Sequence, residues 1–174
     1  MANNWLNENQ SQIDYYLNSK DIILVDRKRQ LKIMTDLFTY YLGQKDHLRF
    51  LDIGCGDGIL TKIMLNVCKD KECRFDLLDG SETMLGRAKE NLGTKNTNFT
   101  LSSFEDFMNQ NQAEHEYDFI YSSMAIHHLE HHKKQTLYSK IYTLLKFQGV
   151  FINIDVVLPV SRITEEFQFQ MWLD

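Results

Sequence analysis

The sequence predicts an α/β fold with a doubly wound, mostly parallel sheet and helices on both of its faces. Short apolar runs of strand length alternate along the chain with longer stretches whose apolar residues recur at helical spacing. The last run, residues 150–157, is apolar at nearly every position, as expected for a strand covered on both faces. The first run leads through a glycine-rich loop, residues 54–58, directly into a helical pattern. This alternation implies parallel strands joined by right-handed crossovers.

Each predicted element has a local justification. Residues 26–42 repeat apolar side chains at helical spacing, and Gly43 is a suitable stop. Ser81 is a suitable N-cap for a helix that ends near Leu92, with Gly93 after it. One or two short helices are expected within residues 1–20. The predicted strands are 48–53, 74–79, 98–102, 117–122 and 150–157, and the other predicted helices are 58–68, 104–110 and one marked by Leu137, Ile141, Leu144 and Leu145.

Length and composition indicate one globular domain in a reducing compartment. The chain has 174 residues, 43% of them hydrophobic and 25% charged, with a net charge of −5. Three cysteines without a C-x-x-C pair argue against a disulfide framework, so we expect a cytoplasmic protein. No secretory signal and no apolar run near the roughly 18 residues of a membrane span are evident. We expect residues 1–45 to form a helical lid and residues 46–174 the sheet domain.

The glycine-rich loop and the end of the second strand predict a site for a nucleoside-containing cofactor. Glycine allows a close approach of the backbone to a ligand, and Asp79 can accept hydrogen bonds from both hydroxyls of a ribose. The dinucleotide fingerprint G-x-G-x-x-G is not matched, because Gly58 comes one residue early. Asp52 and Asp57 would repel a pyrophosphate. These carboxylates favour a ligand with positive charge, such as an amino group or a sulfonium.

Five segments, in order, resemble the motifs of class I S-adenosylmethionine-dependent methyltransferases. Residues 52–58, D-I-G-C-G-D-G, look like the first motif, and residues 78–85, L-D-G-S-E-T-M-L, look like the second. Residues 102–106, residues 117–129 and residues 144–152 are similar to the third, the fourth and the post-motif segment. The resemblance covers about residues 20–157. It implies a Rossmann-like fold, S-adenosylmethionine as cofactor, and methyl transfer to a small-molecule acceptor by in-line displacement.

The resemblance also implies what each site residue does. Asp52 would lie near the amino group of the cofactor, Asp79 would bind the ribose, and the backbone N–H of Phe104 would meet the adenine. Gly80 and Met84 would flank the adenine, Ser103 would accept a hydrogen bond from its amino group, and Ser122 would lie near the methionine carboxyl end. The implied cofactor-binding residues are Asp52, Gly54, Cys55, Gly56, Asp79, Gly80, Met84, Ser103, Phe104 and Ser122.

Four histidines form two i, i+4 pairs if their segment is helical: His127, His128, His131 and His132. Neutral imidazole is a common metal ligand. No cysteine or suitable carboxylate motif accompanies them, and the segment is expected to straddle a loop and a helix start, so no metal site is predicted. His127 or His128 as a general base toward the acceptor is a hypothesis.

The family usually continues past the fifth strand with a helix and two more strands. Only residues 158–174 follow here, so the C-terminal strands of the usual seven are expected to be missing. An exposed sheet edge would then favour a homo-oligomer or a covering partner chain.

Alternatives remain in other classes of protein. The chain could be a non-catalytic cofactor-binding or regulatory subunit, an NAD-dependent oxidoreductase, or an enzyme that uses the cofactor for other chemistry. The low net charge makes a nucleic-acid acceptor less expected than a small molecule. A local group of basic residues leaves an RNA target open: Arg27, Lys28, Arg29, Lys133 and Lys134.

Overall fold

The computed structural model describes Ser11, Tyr15, residues 26–157 and residues 159–173. The short helices predicted within residues 1–20 therefore fall almost entirely outside the described residues. The strands are β1 (His47–Ile53), β2 (Glu72–Asp79), β3 (Thr97–Leu101), β4 (Tyr117–Ser123) and β5 (Leu145–Ile154). The helices are α1 (Arg27–Leu42), α2 (Ile59–Val67), α3 (Glu82–Leu92), α4 (Phe104–Asn109), α5 (His131–Leu144) and α6 (Arg162–Leu173), with a 3₁₀ turn at Ile126–His128.

The five strands form one parallel sheet in the order β3-β2-β1-β4-β5. This arrangement confirms the predicted doubly wound α/β fold. The winding reverses at β1. The chain passes from β1 to β2 and β3 on one side of it, and β4 and β5 lie on its other side. Ligands of such sheets bind beyond the carboxyl ends of the strands at this switch point. The register pairs Ile53 at the end of β1 with Leu78 in β2, which brings the two predicted ligand loops together.

Helices cover both faces of the sheet and bury two apolar clusters. On one face α1 inserts Met34, Phe38 and Leu42 against the strands, where Phe50 and Phe75 stack with ring centroids 4.4 Å apart. On the other face α5 contributes Leu137, Ile141 and Leu144 to a second cluster. Burial of side chains of this size, at about 1.5–3 kcal/mol each, fixes α1 to the sheet. The function of residues 1–45 as a lid remains a prediction.

Strand β5 differs from its prediction. It begins at Leu145, directly after α5, and ends at Ile154, so Val156 and Val157 lie beyond it and are exposed. Its residues are half-buried or exposed along its whole length, with Phe147 at 87% exposure. Both faces of β5 are nevertheless packed, as predicted, although they are only partly buried. Val150, Ile152 and Ile154 lie against the cluster under α1, and Phe151 lies against the cluster under α5. The partial burial follows from position, because β5 is the last strand of the described sheet and pairs with β4 on one side.

Within the part of the chain that the structure describes, no helix has both the length and the apolar character needed to cross a membrane.

Candidate active site

A cavity of about 400 Å³ lies at the carboxyl ends of β1, β2 and β4. The glycine loop after β1, the segment that joins β2 to α3, and the start of α4 form its walls. Nine of the ten predicted cofactor-binding residues line it: Asp52, Gly54, Cys55, Gly56, Asp79, Gly80, Met84, Ser103 and Phe104. The structure thus brings together residues that are up to 52 positions apart in the sequence.

The backbone of the glycine loop has a conformation that residues with side chains rarely adopt. Gly54 has φ +71° and Gly56 has φ +55°, both in the left-handed region that favours glycine. A Cβ on Gly54 would lie 2.4 Å from the Cβ of Ala125, whereas a Cβ on Gly56 would meet nothing within 4 Å. The N–H groups of Gly54 and Cys55 both donate to the carbonyl of Leu78, at 2.8 and 3.0 Å. The loop therefore approaches the cavity with bare backbone at Gly56.

Asp79 joins the two ligand loops through its carboxylate. Its Oδ2 accepts a hydrogen bond from the Gly56 N–H and its Oδ1 accepts one from the Ser81 N–H, both at 2.8 Å. Desolvation by burial raises the pKa of Asp79, and the backbone hydrogen bonds oppose that rise. Each carboxylate oxygen has a second lone pair, so the side chain can still accept hydrogen bonds from a diol.

Asp52 is buried at the floor of the cavity, with 2% of its surface exposed. Its Oδ2 accepts a hydrogen bond from the Thr61 hydroxyl at 2.8 Å, and that hydroxyl lies 2.7 Å from the Tyr121 hydroxyl. Desolvation raises the pKa of Asp52 to about 7; the Thr61 bond lowers it, and the charges of Asp79 and Asp57 raise it further. A cationic group in the cavity would relieve this cost.

Several residues that line the cavity also stabilise the fold. The Ser103 hydroxyl caps α4, accepting from the Asp106 N–H at 3.0 Å and donating to its carboxylate at 2.7 Å. Met84 lies at 5% exposure and therefore packs in the interior as well as against the cavity. Burial raises the pKa of the Cys55 thiol well above its usual value. The Cys55 thiol and the Met84 thioether both add apolar surface to the cavity.

Ser122 is the one predicted cofactor-binding residue that does not line the cavity. It is fully buried, and its hydroxyl donates to the Ile53 carbonyl at 2.7 Å, which ties the end of β4 to β1. The alternation of side chains along a strand turns its neighbour, Ser123, to the cavity instead. Ser123 accepts a hydrogen bond from Arg27 Nη1 at 2.7 Å. Sequence reasoning missed Ser123 and noted Arg27 only as one of several local basic residues.

The two candidate histidines occupy different places. His128 lines the cavity, whereas the His127 ring is held by Asp155, with Nδ1 2.6 Å from Oδ1 and the backbone N–H 2.8 Å from Oδ2. The two rings lie with centroids 4.0 Å apart. Desolvation, and then the neighbouring His127, lower the pKa of His128 to about 4. His128 is therefore neutral at physiological pH.

The other two histidines of this segment, His131 and His132, lie in the first turn of α5, beyond the 3₁₀ turn. The predicted break between loop and helix is therefore present. Among the described residues, no group of three or more histidine, cysteine, aspartate or glutamate side chains is arranged to hold a metal ion.

The sequence matches a family model described as a methyltransferase domain over residues 50–149, which is more than half of the chain. The chain belongs to the class I S-adenosylmethionine-dependent methyltransferases. The predicted family and its cofactor, S-adenosylmethionine, are thereby confirmed. No curated protein matches the sequence significantly.

Solved structures share the fold of this methyltransferase at low sequence identity. The plantazolicin methyltransferase BpumL, solved with a pentazolic desmethylPZN analogue and SAH, is 16% identical over 93% of this chain and 62% of its own, with a TM-score of 0.66. An S-adenosyl-L-methionine-dependent methyltransferase of Methanococcus maripaludis is 18% identical over 92% and 68%, with a TM-score of 0.61. A Haloferax volcanii methyltransferase, solved with the Trm112 activator, is 19% identical over 82% and 56%, with a TM-score of 0.62. The chain thus spans a little over half the length of that protein.

Proposed function

We propose that this methyltransferase binds S-adenosylmethionine in the cavity at the carboxyl ends of β1, β2 and β4 and transfers its methyl group to a small-molecule acceptor. One observation carries the proposal. Two carboxylates, Asp52 and Asp79, face one cavity on either side of a glycine loop whose backbone is bare at Gly56. This pattern suits an adenosyl ligand with a cationic amino-acid end.

The adenosyl part would lie on the β2 side of the cavity. Asp79 is held by two backbone N–H groups, so its orientation is fixed before a ligand arrives, and its free lone pairs suit the two ribose hydroxyls. Beyond it, Gly80, Met84 and the start of α4 at Phe104 offer a mostly apolar wall for the adenine. Ser103 has its hydroxyl engaged in capping α4, which favours the backbone N–H groups of this turn as the polar contacts to the ring.

The amino-acid part would lie on the β1 side, where Asp52 is buried. An ammonium group beside this carboxylate would stabilise its ionised form and would itself be stabilised by it. Thr61 holds the carboxylate in place and is in turn in contact with Tyr121. We assign to Asp52 the binding of the cofactor amino group, directly or through a water molecule.

The cofactor supplies an activated methyl group on a sulfonium, so the residues of the chain need mainly to orient the two reactants and exclude water. Three apolar residues that line the cavity, Met124, Ala125 and Leu129, would contact the acceptor. His128, kept neutral by burial, would accept or donate one hydrogen bond there. We propose an acceptor that is small and largely apolar around its reacting atom.

Asp155 makes His127 the better oriented of the two candidate bases, although His128 is the one that lines the cavity. Asp155 fixes the ring, since its carboxylate lies beside Nδ1, and this bond favours the tautomer in which Nε2 accepts a proton. The side chain of Asp155 is only 7% exposed, and that of His127 is 26% exposed, so the pair has limited access to water. The ring also contacts His128 at the cavity. A base held in this way contributes about 10²–10⁴-fold to the rate of such a reaction.

A protein partner and a cytoplasmic location remain part of the proposal. The described edge strand β5 exposes Phe147, and the neighbouring segment exposes Val157 and Val160, which supports cover by a second copy or another chain. The neighbour from Haloferax volcanii was solved with an activator protein. Three buried free cysteines suit a reducing compartment. Of the five local basic residues, Arg27 is buried at the cavity, and Lys133 pairs with Glu105 at 2.8 Å.

Calorimetric titration with S-adenosylhomocysteine tests the cofactor site directly. We expect the wild type to bind and Asp79→Asn to lose at least tenfold in affinity. The NH₂ group of asparagine cannot accept hydrogen bonds, so one oxygen would have to serve the backbone N–H groups of both loops and both ribose hydroxyls. Asp70→Asn, the same change at an exposed position outside the cavity, is the matched control and should bind as the wild type does. Heat with NADH and none with S-adenosylhomocysteine would replace the proposal by an oxidoreductase.

A screen of acceptors then tests catalysis. Turnover is followed as S-adenosylhomocysteine released from S-adenosylmethionine, with and without each acceptor. Normal cofactor binding with no product on any acceptor, even with a partner present, would indicate a non-catalytic subunit instead.

A further inference from the structure

Arg27 is a buried cation in a cavity that is otherwise acidic. It is the first residue of α1 and is 9% exposed, yet it lines the cavity. Among the described residues around the cavity it is the only arginine or lysine. The carboxylates that share the lining are Asp52, Asp57, Asp79 and Glu105.

Ser123 fixes the guanidinium at a defined place in the fold. Arg27 Nη1 donates to the Ser123 hydroxyl at 2.7 Å, across 96 residues of sequence. Ser123 ends β4, and the preceding Ser122 is bonded to the Ile53 carbonyl at the end of β1. Arg27 therefore lies at the carboxyl end of β4, which pairs with β1, the strand that carries Asp52.

A ligand with an amino-acid end would bring a carboxylate into this part of the cavity. Beside Asp52 alone that carboxylate would be repelled, because two like charges in a poorly solvated cavity oppose each other strongly. A guanidinium resolves the conflict, since it is always charged and presents paired N–H donors that match both oxygens of a carboxylate. Asp52 and Arg27, which line the same cavity, would suit the ammonium and the carboxylate of an amino-acid end.

We propose that Arg27 binds the carboxylate of the cofactor's methionine part and selects ligands that carry a complete amino-acid end. This inference rests on the proposed function. It gives α1 a direct part in cofactor binding, because the helix that packs Met34 and Phe38 into the core also carries the guanidinium at its first residue. Ser123 is then a positioning residue that acts through Arg27.

The test compares two ligands that differ only in the carboxylate. Calorimetry measures S-adenosylhomocysteine and its decarboxylated form, which keeps the amino group, against the wild type and Arg27→Gln. We expect the wild type to bind the decarboxylated form roughly 10- to 100-fold more weakly, from the usual worth of hydrogen bonds between charged groups. Arg27→Gln should lower the affinity for S-adenosylhomocysteine by a similar factor and leave the affinity for the decarboxylated form nearly unchanged.

Three further variants separate binding from structure. Arg29→Gln removes an exposed arginine on the same helix and should change neither affinity. Arg27→Lys keeps the charge but loses the paired donors, so it should fall between wild type and Arg27→Gln. Ser123→Ala should weaken S-adenosylhomocysteine more than its decarboxylated form. Circular dichroism melting curves show which variants are folded.

Several results would overturn the inference. If Arg27→Gln weakened both ligands equally, Arg27 would only support the structure. If the wild type bound both ligands equally well, the ligand carboxylate would have no partner in the protein. This comparison uses the wild type alone, so it does not depend on whether a variant folds. In either case binding of S-adenosylhomocysteine would still support the proposed function. A folded wild type that bound neither ligand would remove the proposed function and this inference with it.

Discussion

Replacement of Asp52 by asparagine should stabilise the ligand-free protein, and the gain should depend on pH. The carboxyl is 2% exposed, and desolvation raises its pKa from an ordinary 3.8 to about 7. In the unfolded chain the group ionises near its ordinary value, whereas in the folded chain it keeps its proton up to about pH 7. The folded state is therefore favoured by this group at low pH, and that contribution is lost as the pH rises from about 4 to about 7.

The size of the effect follows from the two pKa values. At about 1.4 kcal/mol for each pH unit between them, the contribution lost amounts to roughly 4 kcal/mol. Asparagine resembles the neutral carboxyl and keeps an oxygen that can accept from the Thr61 hydroxyl. The free energy of unfolding of Asp52→Asn, relative to wild type, should thus increase by a few kcal/mol between about pH 4 and about pH 8.

Urea denaturation of the ligand-free chains across this pH range measures the difference. Asp70→Asn, at an exposed position, is the control and should show a small difference that does not vary with pH. A difference for Asp52→Asn that is equally flat would refute the reasoning, since it would mean that Asp52 ionises in the folded protein as readily as in the unfolded chain.

The same carboxyl should make cofactor binding depend on pH in the opposite sense. An ammonium group pairs with the ionised form, so affinity for S-adenosylhomocysteine should rise with pH, by up to about tenfold per unit below pH 7, and level off above it. Asp52→Asn should bind weakly at every pH. A variant that gains stability and loses affinity is expected where a charged group is buried for a ligand.

Other predictions concern single positions around the cavity. Gly54→Ala should lower the free energy of unfolding by roughly 2–5 kcal/mol, because it combines a left-handed backbone with a Cβ 2.4 Å from that of Ala125; adding Ala125→Gly should recover part of the loss in urea denaturation. Gly56→Ala meets no neighbour and should lose only roughly 1–2 kcal/mol, so equal losses at the two glycines would contradict the geometry. The His128 ring should titrate in NMR with a midpoint near 4, and a midpoint near 6.5 would show that it is well solvated. Asp155→Asn should change the tautomer of His127, seen in the nitrogen chemical shifts of its ring; unchanged shifts would show that the carboxylate does not set it.

The parts of the fold that sequence reasoning predicted are those with local signals. Ser81 accepts from the Met84 N–H and begins α3, as expected of an N-cap, and Gly93 follows the helix at its end. The glycines of residues 54–58 signal a backbone that only a few residue types tolerate. The packing of β5 on both faces was predicted, but the extent of its burial could not be, because that depends on which strand or helix lies beside it.

The same distinction applies to the site. Asp52, Gly56 and Asp79 belong to motifs whose spacing is fixed by strand, loop and helix, so they could be found without a structure. Arg27 and Asp155 could not, because their partners are 96 and 28 residues away and tertiary packing alone brings them together. Ser122 was assigned instead of Ser123 because motif matching does not show to which side of the strand each side chain points.

The balance of charge in the cavity explains why this glycine loop suits one class of ligand. The lining carries four carboxylates, Asp52, Asp57, Asp79 and Glu105, against one guanidinium, that of Arg27. Glu105 is paired with Lys133 at 2.8 Å, so the other acids leave a net negative field. A pyrophosphate would add negative charge to this field at a cost that backbone N–H groups could not offset, since Asp79 already occupies that of Gly56. A sulfonium with an ammonium and one carboxylate adds net positive charge and lowers the cost of burying Asp52. The free energy that an ionised, buried Asp52 costs the folded protein can thus be recovered when a ligand with an ammonium group binds.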